Sequence, residues 1–200
     1  MTIKITRKQK AEQKTRHSIL ESGVSIIQTH GLENFTMHKV ANQTGIAKGT
    51  LYLYFKNKNE LLLSVAGHCF EPLSRNIRKV FASDINPLDK LEKYIHLSFT
   101  HIEQNKAVYY ELQLTFITLI EKDINDKTST YWEMINIFAR TFEDGISKKL
   151  LRPMDASRTA IFFIDSIDGA MTRRIVSTVG NSAEDDAHEL LNIYLHGLAL

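Results

Sequence analysis

A short run of the sequence carries side chains that suit contact with DNA. A helix over residues 47–55 would bury the stripe Leu51, Tyr54 and Phe55, which recur at helical spacing. Its other side would present four polar or small residues: Lys48, Gly49, Thr50 and Tyr52. Hydroxyl groups can bond phosphates or base edges, and a glycine lets the backbone approach DNA closely. Such a helix is suited to the major groove of a duplex.

The residues around this run predict the helices that would hold it in place. A first helix from about Lys10 to Thr29 would end at Gly31, and Thr36 can cap a short second helix. Gly45 supplies a tight turn before the helix over residues 47–55. Two short helices joined by a glycine turn indicate a helix-turn-helix. A fourth helix would begin near Lys58. The charge of this lysine and the helix dipole would both favour the binding of a phosphate group there.

The rest of the chain is also predicted to be helical. Further helices are expected to start at Pro87 and to cover residues 105–120, 126–151, 155–179 and 182–200, whereas Pro72 is expected to kink or interrupt the fourth helix. We find no internal repeat and no hairpin signal. The sequence therefore predicts an all-α protein, with a helix-turn-helix domain in residues 1–60 and a second helical domain in residues 61–200.

Charge is distributed unevenly between these two parts. Residues 1–60 contain ten lysines and arginines and four acidic residues, whereas residues 61–200 contain 15 basic and 19 acidic residues. A basic first part is typical of a surface that faces nucleic acid. For the lysines and arginine of residues 4–10, a solvated tail is an equally good interpretation.

Several other classes of protein are not indicated. The single cysteine, Cys69, allows no internal disulfide, and its apolar helical surroundings favour burial over nucleophilic chemistry. No two histidines have the i, i+4 spacing of a helical zinc motif, so we expect no metal and no cofactor. The sequence contains no nucleophile elbow, P-loop or dinucleotide fingerprint, so we expect no enzyme. With no spanning segment or signal peptide visible, a cytoplasmic protein is expected.

Residues 36–63 closely resemble the DNA-binding segment of TetR-family transcriptional regulators. The matching elements are Gly45, Lys48-Gly49-Thr50, Tyr52, Tyr54-Phe55, Lys58 and Glu60-Leu61-Leu62. The resemblance is specific over about residues 10–65. It implies three sets of DNA contacts: Lys48, Gly49, Thr50 and Tyr52 in the groove, Thr36 and His38 at the start of the supporting helix, and Tyr54 and Lys58 on phosphates. Core packing remains an alternative for Tyr54, and a plain solvent-facing position for His38.

The resemblance also implies a second domain that binds a small effector and forms a homodimer. Candidate residues for an effector pocket are Tyr94, Phe99, Tyr109, Phe116, Tyr131, Met134, Phe138 and Phe162. Candidates for the dimer interface are Phe163, Ile167, Met171, Leu191, Tyr194, Leu195 and Leu198. Both sets could instead complete the core of one chain. Since no arginine cluster suggests an anionic ligand, a hydrophobic or amphipathic effector is expected.

Two functions of different classes are consistent with these features. The first is a homodimeric repressor that leaves a pseudopalindromic DNA operator when an effector moves the fourth helix. The alternative is a DNA-associated interaction protein whose second domain docks another protein instead of a small molecule. The sequence does not distinguish repression from activation.

Overall fold

The computed structural model describes residues 6–126, 128–177, 180 and 182–197. Every regular element in these residues is helical, as predicted. The eight α-helices are α1 (Arg7–His30), α2 (Met37–Thr44), α3 (Lys48–Tyr54), α4 (Lys58–Ala82), α5 (Pro87–Asn125), α6 (Thr130–Ser147), α7 (Ala156–Val176) and α8 (Ala183–Leu191). A 3₁₀ turn covers Leu32–Asn34, and a π-helical turn, Asn192–His196, follows α8.

The ends of the first three helices follow from local chemistry. Helix α1 begins earlier than predicted because Thr6 caps it, accepting a hydrogen bond from the backbone N–H of Gln9. It ends at Gly31, whose φ of 75° suits glycine. The Thr36 hydroxyl caps α2, and Gly45 ends that helix in the left-handed conformation, with φ 75° and ψ 29°. The predicted turn between α2 and α3 is confirmed.

Helix α4 passes through Pro72 without interruption, so an interruption there was a wrong prediction. Proline removes one helical hydrogen bond, but here the helix is held on both sides of it. Its buried face recurs every four residues across the proline, at Leu61, Val65, Cys69, Leu73 and Ile77. Pro72 itself is exposed, on the side of the helix that faces solvent.

Helix α5 is longer than the sequence pattern suggested. The predicted separate helix over residues 105–120 is instead the second half of one 39-residue helix. No glycine or proline occurs between Leu88 and Asn125, so nothing in the sequence ends a helix there. Helices α6, α7 and α8 fall within their predicted ranges but are shorter.

The chain folds as two compact units. Unit 1 comprises residues up to 71 together with residues 111–117, and unit 2 comprises residues 72–110 and those from 118 onward. The domain boundary predicted at residue 60 lies inside α4, and both α4 and α5 carry residues of both units. The side chain of Glu111 accepts a hydrogen bond from the N–H of Leu32 (2.9 Å), which joins this segment of α5 to unit 1. Among the described residues, no helix is long and apolar enough to cross a membrane.

Candidate DNA interface

Helix α3 is anchored to unit 1 by its apolar side. Leu51 and Phe55 are completely buried. The guanidinium of Arg16, from α1, lies 4.8 Å from the centre of the Phe55 ring, and it also donates a hydrogen bond to the Ser64 hydroxyl (3.3 Å). This short helix is therefore fixed by contacts with its neighbours, since seven residues are too few to be stable alone.

The opposite side of α3 carries the four predicted groove residues. Lys48 and Gly49 are exposed, 44% of Tyr52 is exposed, and Thr50 is half-buried. A Cβ atom built on Gly49 would meet no atom within 4 Å, so nothing inside unit 1 requires a glycine there. This helix therefore presents a hydroxyl-bearing face with one positive charge and one position free of side-chain bulk. Their contact with DNA stays a prediction.

Thr36 and His38 lie together at the start of α2. The Thr36 hydroxyl accepts a hydrogen bond from the backbone N–H of Lys39 (3.2 Å) and keeps its own hydrogen for another acceptor such as a phosphate. His38 is exposed, and its ring Nε2 lies 3.2 Å from the Asn42 side-chain nitrogen on the next turn. The structure thus places both residues at the surface of unit 1.

Tyr54 and Lys58 lie at the ends of the two helices that follow the turn. Tyr54 is half-buried and lines a groove of about 630 Å³ between α3 and the first half of α1, together with Thr50 and Arg16. The Lys58 side chain is exposed, with its ammonium 6.0 Å from the centre of the Phe35 ring. Tyr54 is thus partly covered by its neighbours and also lines a groove, and its contact with phosphate stays a prediction.

Leu53 is a surface residue that the sequence analysis did not assign. It is 85% exposed, the largest exposed fraction among the large apolar side chains of the described chain. It follows Gly49 by four residues and therefore shares its face of α3. The sequence feature that could have identified it is a leucine that lies outside the buried stripe of a short amphipathic helix. Such a side chain can contact the methyl group of thymine or a sugar.

The predicted pocket residues, all in unit 2 except Phe116, occupy different environments. Tyr94 and Phe138 belong to an aromatic cluster, with ring centres 4.6 Å apart, and Phe99 and Tyr109 are also buried. Tyr131 and Met134 are half-buried, whereas 56% of Phe162 is exposed. The side chain of Phe116 lies outside the described part of the structure. Their role in binding an effector stays a prediction.

A groove of about 700 Å³ lies between α4 and α5 within unit 2. Its apolar lining residues are Leu73, Val80 and Leu97, and its polar and charged ones include Asp89, Glu92, Lys93, His96 and His101. None of the predicted pocket residues whose side chains are described lines it. The volume is within the range that small-molecule ligands occupy.

One carboxyl group in unit 2 is held in an unfavourable environment. Burial raises the pKa of Asp168 on α7 from 3.8 to about 6, and the nearby charge of Asp165 adds to this effect. The pKa of Tyr131 is also raised, first by burial and then by these two carboxylates. This arrangement places a weakly acidic group among the aromatic side chains of unit 2.

The predicted dimer residues mostly complete the interior of unit 2. Phe163, Ile167, Met171 and Leu191 are buried in the single chain. Tyr194 donates a hydrogen bond from its hydroxyl to the carbonyl of Phe162 (3.0 Å), and its ring centre lies 4.9 Å from that of Phe163. The Leu195 side chain and all of Leu198 lie outside the described residues. These contacts match the core alternative that the sequence left open, and a dimer role stays a prediction.

Charged side chains connect three helices of unit 2. The buried Arg174 on α7 donates to Glu103 of α5 (2.6 Å) and to Asp186 of α8 (2.8 Å). Burial alone would raise the pKa of Asp186, but hydrogen bonds from Arg174 and Arg173 outweigh burial and hold the pKa below 3.8. The network therefore fixes α7 and α8 against α5.

Comparison with known proteins agrees with this geometry. Residues 19–65, which extend from the middle of α1 into α4, match the family model for bacterial regulatory proteins of the tetR family. The chain is therefore similar to TetR-family transcriptional regulators, and the match lies in the part that contains α2, α3 and the turn between them.

Individual similar proteins extend the similarity into unit 2. The fatty acid metabolism regulator protein of Bacillus subtilis is 27% identical over 167 residues, which cover 80% of this chain and 82% of the relative. The transcriptional repressor KstR of Mycolicibacterium smegmatis is 25% identical over 68% of this chain and 66% of its own. The structure of the fatty acid degradation regulator FadR from Bacillus halodurans has the same fold, with a TM-score of 0.70, 19% identity and coverage of 90% of this chain and 94% of that one.

Proposed function

We propose that this chain is a homodimeric repressor of the TetR family that an amphipathic small molecule releases from a pseudopalindromic operator. The observation that carries this proposal is the surface of α3, where Lys48, Gly49 and Tyr52 are exposed and Thr50 is half-buried while Leu51 is fully buried. Repression is favoured by the similarity to the transcriptional repressor KstR. The proposed activity requires the cytoplasm, where the operator DNA would be found.

Contacts with DNA are expected to divide into two kinds. Thr36, Tyr54 and Lys58 would bond phosphates and fix the orientation of unit 1, because such contacts carry little sequence information. Lys48, Thr50 and Tyr52 would reach base edges in the major groove. His38 would stand beside the backbone at the start of α2, and the backbone at Gly49 would approach the DNA directly.

Dimerisation is proposed through the outer face of α7, since its buried side is already used within the protomer. Phe162, Gly169 and Val176 recur every seven residues, and all three are exposed. Phe162 and Val176 are each more than 50% exposed to solvent, and so is Ile193, which follows α8. An exposed apolar stripe with a central glycine suits close packing of two helices. A two-fold axis there would pair two copies of α3.

The effector is proposed to bind in the groove of unit 2 between α4 and α5. Its apolar lining residues suit a hydrocarbon body, and its charged lining residues suit a polar head group. Two of the similar proteins are named for fatty acid metabolism or degradation, which favours an acyl compound. The buried aromatic residues of unit 2 would not contact the effector. They would shift only if effector binding changed the packing of α5. Helix α4 carries residues of both units, so its displacement would couple effector and DNA binding.

Reciprocity between the two ligands tests this proposal. A panel of fatty acids, acyl thioesters and sterols would be screened by thermal shift, and each hit would be titrated against operator DNA by fluorescence anisotropy. A true effector weakens DNA binding by the same factor by which DNA weakens effector binding. Leu97→Trp, which fills the groove, should abolish the response and leave DNA affinity unchanged. A compound that stabilises the protein without changing DNA affinity would contradict its role as inducer.

The interaction-protein alternative is not adopted. The relatives reported above are named as regulators or repressors, and two of those names refer to the metabolism of small molecules.

A further inference from the structure

Two histidines and a glutamate from different helices converge on one side of unit 1. His17 and Glu21 lie one turn apart on α1, and His68 lies on α4. One ring nitrogen of each histidine and one carboxylate oxygen of Glu21 all lie within 4.8 Å of one another. Imidazole nitrogen and carboxylate oxygen are the ligands that many protein-bound transition metals use.

The distances between these atoms are close to those of a tetrahedral metal site. The Nε2 atom of His68 lies 2.6 Å from Oε1 of Glu21, and the Nε2 atom of His17 lies 3.8 Å from the same oxygen. Ligands about 2.0–2.2 Å from a tetrahedral zinc ion are roughly 3.3 Å apart. The two observed separations lie on either side of that value, so small rotations of the side chains would admit an ion.

The helices that carry the three residues are held firmly against each other. A Cβ atom on Gly23 would lie 2.6 Å from Cγ2 of Val65, so α1 and α4 are in close contact next to the cluster. His68 is only 15% exposed, whereas 65% of His17 and 58% of Glu21 are exposed. One ligand is therefore fixed in a partly buried position, and the other two leave a path from solvent. A rigid, accessible arrangement of this kind favours metal binding.

An ion pair alone would engage only two of the three groups. Glu21 with His68 would form one hydrogen-bonded pair, which leaves His17 at 3.8 Å, beyond hydrogen-bonding distance of that oxygen. The rings of His17 and His68 meet edge to face, with centres 5.1 Å apart. A divalent cation between the three groups would bind a lone pair from each. The neighbouring Cys69 is buried and is not among the converging atoms.

We propose that His17, Glu21 and His68 form a binding site for a divalent transition-metal ion of the zinc class. The site supplies three protein ligands and leaves a fourth position to water. The bound ion links α1 to α4 and stabilises unit 1. The sequence analysis missed it because it compared only pairs of histidines, and the third ligand comes from a residue 47 positions beyond Glu21 in the chain.

Metal titration of the untagged, chelator-treated protein tests the site. Zinc binding would be followed by calorimetry and thermal unfolding, and cobalt(II) would report ligand geometry through its visible absorption. The wild type should bind one zinc ion per chain, with a rise in Tm of about 5 °C at saturating metal. His17→Gln should lower the affinity at least tenfold. This exposed side chain contributes little to the core, and circular dichroism would verify that the variant is folded.

The matched control is His30→Gln, which removes another exposed histidine from the same helix. It should bind zinc like the wild type. Glu21→Gln should weaken binding as His17→Gln does, because an amide is a poorer ligand than a carboxylate. Equal zinc affinity in the wild type and His17→Gln, or no binding by the wild type at micromolar zinc, would overturn the proposal. Neither result depends on DNA or effector binding.

Discussion

At the scale of single residues, Gly49 tests how closely α3 approaches DNA. In the free protein, alanine fits there without contact and should stabilise the helix by about 0.5–1 kcal/mol, because glycine is a poor helix former. On DNA, the added methyl group would occupy the space between the backbone and the base edges. Gly49→Ala should therefore bind operator DNA at least tenfold more weakly while unfolding at a higher temperature.

Gly67 provides the matched control for this substitution. It is an exposed glycine of α4, and a Cβ atom there also meets nothing within 4 Å. Gly67→Ala should raise the stability by a similar amount and leave DNA affinity unchanged in an anisotropy titration. If Gly49→Ala bound DNA as tightly as Gly67→Ala, the proposed orientation of α3 would be wrong.

At the scale of helices, local signals were predicted well and tertiary effects were not. Thr36, Gly31 and Gly45 end or begin helices as expected, because capping and left-handed turns depend on a few neighbouring residues. The uninterrupted α4 and the 39-residue α5 were missed. Burial on both sides of Pro72 compensates for its lost hydrogen bond, and no periodicity reveals that compensation.

The same distinction applies to the candidate sites. The outward face of α3 could be predicted because its buried stripe lies within nine residues of sequence. Leu53 was missed, since only the polar or small members of that face were considered. The burial of Phe163, Ile167 and Met171 could not be separated from a dimer role, because an apolar stripe gives the same pattern when it packs within one chain or between two. Long-range convergence, as in the His17, Glu21 and His68 cluster, leaves no signal in local spacing.

The ion network of Arg174 should stabilise unit 2 by fixing α7 and α8 against α5. Asp186→Asn leaves the buried guanidinium with one charged partner fewer and should lower the free energy of unfolding by about 3 kcal/mol at pH 7. Since the pKa of Asp186 is lowered in the folded state, its stabilising contribution is present above pH 4 and is lost as the pH falls below that value. Urea unfolding should show the stabilities of the variant and the wild type converging as the pH falls below 4.

Glu184→Gln is the control for this network. Glu184 is an exposed acid in the first turn of the same helix, and its removal should cost only a few tenths of a kcal/mol through the helix dipole. A destabilisation by Asp186→Asn no larger than that of Glu184→Gln would show that the network does not stabilise unit 2.

At the scale of the whole molecule, the account requires a dimer built on the outer face of α7. Gly169→Arg would place a long charged side chain in the centre of the exposed stripe, where a Cβ atom meets nothing in the single chain. We expect the wild type to sediment at twice 22.9 kDa and the variant at 22.9 kDa. Circular dichroism should show equal helix content in both.

Gly67→Arg controls for the arginine itself, because it makes the same change at an exposed glycine outside the stripe. It should remain dimeric. A Gly169→Arg variant that keeps the mass of a dimer would exclude this face of α7 as the interface. The same variant should also lose most of its operator affinity, since two linked recognition helices bind more tightly than one.

The central claim is that paired α3 helices read a specific DNA sequence, and selection from random duplex DNA tests it most directly. Untagged, ligand-free protein would be used at roughly physiological salt, where contacts limited to phosphates are weak. We predict an enriched inverted repeat whose half-sites are separated by about one helical turn or a multiple of it. Gly169→Arg should not enrich the repeat. No enrichment by folded wild-type protein, or enrichment of a single site without symmetry, would contradict the account.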